Sequence, residues 1–107
     1  MDDDHDMDLV QVLLPLSDNE QHPFPRAYFD RVARELTDRF GGVTSYTRSS
    51  AEGRWTHEGG TTADEVVVVE VMVGALDEAW WTAYRIALEA TFRQKRVIVR
   101  AQRVRVL

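Results

Sequence analysis

Asp64 to Val73 reads DEVVVVEVMV, and Glu70 is the only charge between Val66 and Val73. The run is dominated by β-branched valine, holds no proline and is closed by Gly74, which predicts a strand. In a strand, successive side chains point to opposite faces. Val67, Val69, Val71 and Val73 therefore share one uniformly apolar face, which belongs under helices. Val66, Val68, Glu70 and Met72 share the other, where a carboxylate interrupts the apolar row.

Downstream, Asp77 is suited to cap the start of a helix. Glu78, Thr82, Arg85, Glu89 and Arg93 make one polar stripe along it, at offsets 0, 4, 7, 11 and 15. Trp80, Trp81, Ala83, Tyr84, Ala87, Leu88 and Phe92 fill the rest, a face wide enough to imply burial on more than one side. Arg96 to Leu107 alternates weakly and predicts a last strand. Upstream, residues 49–63 hold three glycines and no periodicity, which reads as a long loop. Val43 to Arg48 predicts a strand. Before it, Phe29, Val32, Ala33, Leu36 and Phe40 repeat at helical offsets, with Pro25 at the start and Gly41-Gly42 as the stop. Leu9 to Leu14 reads as a buried strand ending at Pro15, with turn residues over 15–23. The resulting order, βαββαβ, predicts an α+β ferredoxin-like sandwich: a four-stranded antiparallel sheet with two helices on one face and the first and third strands central.

At 107 residues the chain has room for one domain. Residues 9–107 are assigned to it, and residues 1–8, MDDDHDMD, to an acidic solvated tail rather than a metal site. The acidic start lacks the basic and apolar segments of a secretory signal, and no apolar run approaches a membrane span. The expected location is therefore cytoplasmic, with no membrane partner. Eighteen acids against thirteen bases give a net charge of -5, which argues against nucleic acid as partner. The last strand is basic and Tyr46 lies nearby, but the third strand offers valines where base-stacking rings would be needed. With no cysteine, disulfides, thiolate metal sites and cysteine nucleophiles are ruled out. No phosphate loop, dinucleotide fingerprint or HExxH motif occurs, so no cofactor and no metal is expected.

The helix-free face of the sheet is where the sequence places a site. It carries Leu9, Leu13, Val66, Val68, Met72, Ile98, Val104 and Val106, an apolar patch that asks for a cover. The simplest cover is a second copy on a two-fold axis; the loop 49–63 or the acidic start folding over the sheet is the other. Gln11, Glu70, Arg100 and Gln102 are the polar residues within the patch. Glu70 reads either as one half of an ion pair with Arg100 or as a functional carboxylate in an apolar cavity. Trp55, in the Gly-rich loop, reads as a core plug or as a lid over a ligand. His57, beside Glu58, is a second acid/base candidate. The candidate ligand-binding set is thus Gln11, Tyr46, Trp55, Glu70, Arg100 and Gln102, with Glu70 and His57 as catalytic candidates.

Phe40-Gly41-Gly42-Val43-Thr44, then Glu52-Gly53-Arg54-Trp55 and a valine-rich strand, resembles a group of small uncharacterised bacterial proteins of ferredoxin-like, dimeric α+β barrel type. The resemblance runs from Leu9 onward. It implies the fold and brings no reaction with it; barrels of this kind include monooxygenases, isomerases and effector-binding modules. The reading reached from sequence is a homodimer that binds a small molecule or a protein partner through its open sheet face. The alternative is a small cofactor-free enzyme using Glu70 or His57 as acid/base. The sequence does not decide whether the protein is an enzyme.

Overall fold

A computed structural model describes residues 6–49, 55–57, 60–62 and 65–107. Strand β1 (Asp6–Pro15) leads to helix α1 (Arg26–Phe40), strand β2 (Thr44–Ser49), a short pair β3 (Trp55–His57) and β4 (Gly60–Thr62), strand β5 (Glu65–Val73), helix α2 (Glu78–Thr91) and strand β6 (Ile98–Arg105). β2, β5, β1 and β6 form one antiparallel sheet in that order, so β1 and β5 are central as expected. This is the βαββαβ ferredoxin-like arrangement.

The alternation read from DEVVVVEVMV holds. Val67, Val69, Val71 and Val73 are buried in one core cluster with Val10, Val12 and Leu14 of β1. Helix α1 adds Val32 and Leu36 to it, and α2 adds Trp81 and Leu88. Phe92, fully buried, closes one end among the rings of Phe24, Tyr28 and Phe29, whose centroids lie 5.0–5.6 Å away. The second face of α2 meets α1. Trp80 stacks on Tyr84, Phe40 stacks on Trp81, and the Arg39 guanidinium sits 4.3 Å from the Trp80 ring centre. Tyr84 donates its hydroxyl to Glu35 at 2.9 Å; burial first and that bond second push its pKa above the ordinary tyrosine value. Ala83 and Ala87 are exposed, so α2 buries two faces but not its whole apolar circumference.

The start of α2 and the end of α1 fall where the sequence marks them. Asp77 caps α2 by accepting from the Trp80 N–H, and Gly41 closes α1 at φ 96°, donating its own N–H to Thr37. Glu89 fastens α2 to the sheet. Its carboxylate accepts the Val97 N–H at 3.0 Å and Arg85 Nη1 at 2.7 Å.

The last strand, expected over Arg96 to Leu107, spans Ile98–Arg105, and larger differences lie at β1 and in the stretch 49–63. β1 begins at Asp6 rather than Leu9, with Asp6 opposite Arg105 and Asp8 opposite Arg103. Opposite charges across the strands offset the poor strand propensity of aspartate there. The stretch 49–63, expected as a loop, contains the β3–β4 hairpin, in which Trp55 pairs with Thr62 and His57 with Gly60. Strands of three residues are too short for a period-two pattern to show. The acidic residues 1–5 lie outside the described residues.

Candidate functional site

The face opposite the helices carries a row of polar residues at one level of the sheet. Thr44 on β2 lies opposite Glu70 on β5, Glu70 opposite Gln11 on β1, and Gln11 opposite Arg100 on β6. Hydrogen bonds link this row to Tyr46, two residues further along β2. The Tyr46 hydroxyl donates to Glu70 Oε2 at 2.7 Å, Gln11 Nε2 donates to the same oxygen at 2.6 Å, and Arg100 Nε donates to Gln11 Oε1 at 2.8 Å. These partners fix the orientation of the Gln11 amide: nitrogen toward the acid, oxygen toward the base. The bond to Glu70 raises the pKa of Tyr46, so the phenol stays protonated and keeps donating.

This geometry corrects one expectation. Glu70 and Arg100 do not pair directly. They stand on strands separated by β1, about 10 Å apart at two strand spacings. Gln11 occupies the register between them and relays one charge to the other. Glu70 is also half-buried rather than enclosed among valines, and Arg100 is exposed. Water therefore reaches the row.

Beside the row runs an open groove of about 650 Å³, lined on the sheet by Leu9, Glu70, Met72, Val104, Arg105 and Val106 and at one side by Val43 and Thr44. Gln102 is exposed on the same face and, with Leu9, Gln11 and Arg100, borders a hollow of about 70 Å³. Four of the candidate residues, Gln11, Tyr46, Glu70 and Arg100, are thus joined by hydrogen bonds, and Gln102 lies next to them. The side chains of Trp55 and His57 lie outside the described residues.

The groove wall from Val43 and Thr44 was not anticipated. The signal was present: the Gly41-Gly42 stop delivers the chain straight into β2, at the level of Glu70.

The apolar patch is real but uneven. Met72 is 40% exposed, Ile98 50% and Val106 38%, while Leu9, Leu13, Val66 and Val104 are half-buried. Val68 is fully buried within the single chain, so it is not available as a contact for a second copy. Among the described residues, no group of three or more His, Cys, Asp or Glu is placed to hold a metal ion, and no helix is long and apolar enough to cross a membrane.

No protein-family profile and no curated protein matches the chain. Among solved structures, one of a phage SAM lyase in complex with S-methyl-5'-thioadenosine is similar, with a TM-score of 0.59 at 15% identity, covering 94% of this chain and 83% of that one. At that identity the likeness establishes the fold alone.

Proposed function

We propose that the protein is a binding module that takes a small molecule on its open sheet face, with a second copy of the chain covering the apolar remainder. The observation that carries this is the bonded row Tyr46–Glu70–Gln11–Arg100 at the edge of a 650 Å³ apolar groove. Ligand sites combine an apolar wall with a few oriented polar groups, and this groove has both. A pure interaction surface would have its polar residues locked in ion pairs and its face packed shut. Here the carboxylate is half-buried and the groove is open.

The similar lyase binds S-methyl-5'-thioadenosine, so that nucleoside is the first probe to try. Calorimetric titration should show saturable binding to the wild type and at least tenfold weaker binding to Glu70→Gln, which keeps the shape and removes the charge. Binding of this probe and of a small panel of other nucleosides without any dependence on Glu70 would sink the proposal.

A second reading rests on the Tyr46–Glu70 bond. A carboxylate whose Oε2 is held by two donors, facing a groove, is arranged as a general base, and Glu70 is the residue for that role. Incubation with SAM, followed by chromatography, tests it: turnover by the wild type that disappears in Glu70→Gln supports an enzyme. Binding without turnover supports the module alone.

A further inference from the structure

β6 is an edge strand. The sheet order places it at one end, and among the described residues nothing pairs with its outer side. It is eight residues long and largely exposed, including Ala101, which alternation turns toward the helix side. Proteins usually shorten, cover or charge such an edge, because its free N–H and C=O groups are a template for another strand. This one is charged. Arg93, Lys95, Arg96, Arg100, Arg103 and Arg105 lie within thirteen residues that hold no acid, in a chain whose net charge is -5. All six are exposed. Arg103 approaches Asp8 of β1 at 3.7 Å and still has 61% of its side chain in solvent.

The helix layer leaves room beside this edge. A slot of about 230 Å³ opens between α2 and β6; its apolar wall is Val10, Leu76, Trp81, Val99 and Ala101, and Glu78, Arg85 and Arg100 stand at it as charged neighbours. An added strand would send alternate side chains toward that slot. Self-pairing is disfavoured. Two copies of Ile98–Arg105 aligned antiparallel over their full length set Arg100 opposite Arg103 twice, and like charges directly opposite destabilise a strand pair. The charge that keeps a second copy off the edge attracts an acidic strand.

We infer that β6 is a docking edge for an extended acidic segment of another protein, added as a fifth strand with an apolar side chain in the α2–β6 slot. Main-chain bonds would supply affinity, and the slot and the arginines selectivity. This surface adjoins the groove beside Glu70: Arg105 lines that groove, and Arg100 belongs both to the bonded row and to the slot.

The probe is a fluorescein-labelled nine-residue peptide of alternating aspartate and valine, with binding read by anisotropy and β6 amide protection read by hydrogen exchange. The expected result is saturable binding, slowed exchange along Ile98–Arg105, and binding about tenfold weaker for Arg105→Glu, whose melting temperature serves as the check on folding. The same peptide N-methylated at alternate amides keeps its charge and loses the main-chain donors of one edge; it should bind at least about tenfold more weakly. Equal binding of the methylated peptide would reduce the contact to charge alone and overturn strand addition. Tighter binding of an oligouridylate that protects the same amides would assign the edge to nucleic acid instead. No binding of the peptide at about millimolar concentration, on the scale of a weak encounter, would also overturn the inference.

Discussion

The Gln11 amide has a donor end and an acceptor end, and the open face uses both: the nitrogen donates to Glu70 and the oxygen accepts from Arg100. An acid and a base two strands apart are thereby coupled through a neutral side chain. The energetic consequence is specific. A buried ion pair broken on one side loses about 3–5 kcal/mol, because a charge is left without compensation. Here both charges have access to water, so each hydrogen bond contributes only about 1 kcal/mol. Arg100→Met should accordingly be mild, and a double-mutant cycle between Glu70→Gln and Arg100→Met should give a coupling below about 0.5 kcal/mol in denaturant melts. The cycle between Gln11→Met and Glu70→Gln should give a larger one, on the order of 1 kcal/mol, because that bond is direct. A Glu70–Arg100 coupling exceeding the Gln11–Glu70 coupling would mean that the two charged side chains meet in solution.

Between elements, Glu89 is the fastening whose strength depends on pH. The Val97 N–H first, and Arg85 second, hold its carboxyl below the ordinary carboxylate range. A depressed folded-state pKa means stability that is present above the unfolded value and lost as pH falls through the folded one. Thermal melts from about pH 7 to about pH 2 should therefore show a steeper acid loss for the wild type than for Glu89→Gln, which is less stable at neutral pH and has less to lose. Asp18, also lowered by bonds from the His22 and Glu20 N–H groups, contributes to both curves, so their difference isolates Glu89. Identical slopes would mean that the Glu89 contact does not form. The elements of the core were legible because burial leaves a period in the sequence: two in Val67 to Val73, between three and four in Phe29 to Phe40. The caps were legible because Asp77 and Gly41 suit those positions chemically. What stayed hidden has equally physical reasons. Asp6 to Asp8 looks like a tail until Arg103 and Arg105 are placed opposite, and that needs the register. The β3–β4 hairpin is too short to carry a period. The relay through Gln11 depends on β1 lying between β5 and β6 at matching levels, so alternation put Glu70 and Arg100 on one face without showing what separates them. Alternation likewise put Val68 on the open face but does not say how deeply a residue sits.

For the whole molecule, the proposed dimer and the proposed ligand share one face, and that has a consequence for both. Met72, Ile98 and Val106 are the exposed apolar side chains there, and Met72 and Val106 also line the groove. A second copy seated on them would close the groove from above and add contacts to whatever it holds. Binding and association are then linked, and linkage is reciprocal: a ligand that binds the dimer more tightly than the monomer must tighten the dimer by the same factor. Light scattering over a concentration series should give about twice the chain mass, as a two-fold pair requires, and Met72→Asp should return the monomer with its melting temperature intact. Val68→Asp makes the contrast. It puts an unpaired charge where the single chain is already closed, so it should lower stability by about 3 kcal/mol or more before it says anything about association. Repeating the wild-type series with S-methyl-5'-thioadenosine at about a hundred times its dissociation constant should move the midpoint of association to lower protein concentration. A midpoint that moves to higher concentration would mean that ligand and second copy compete for the same apolar residues. A chain that stays monomeric with and without the nucleoside would leave Met72, Ile98 and Val106 uncovered and remove the second copy from the proposal.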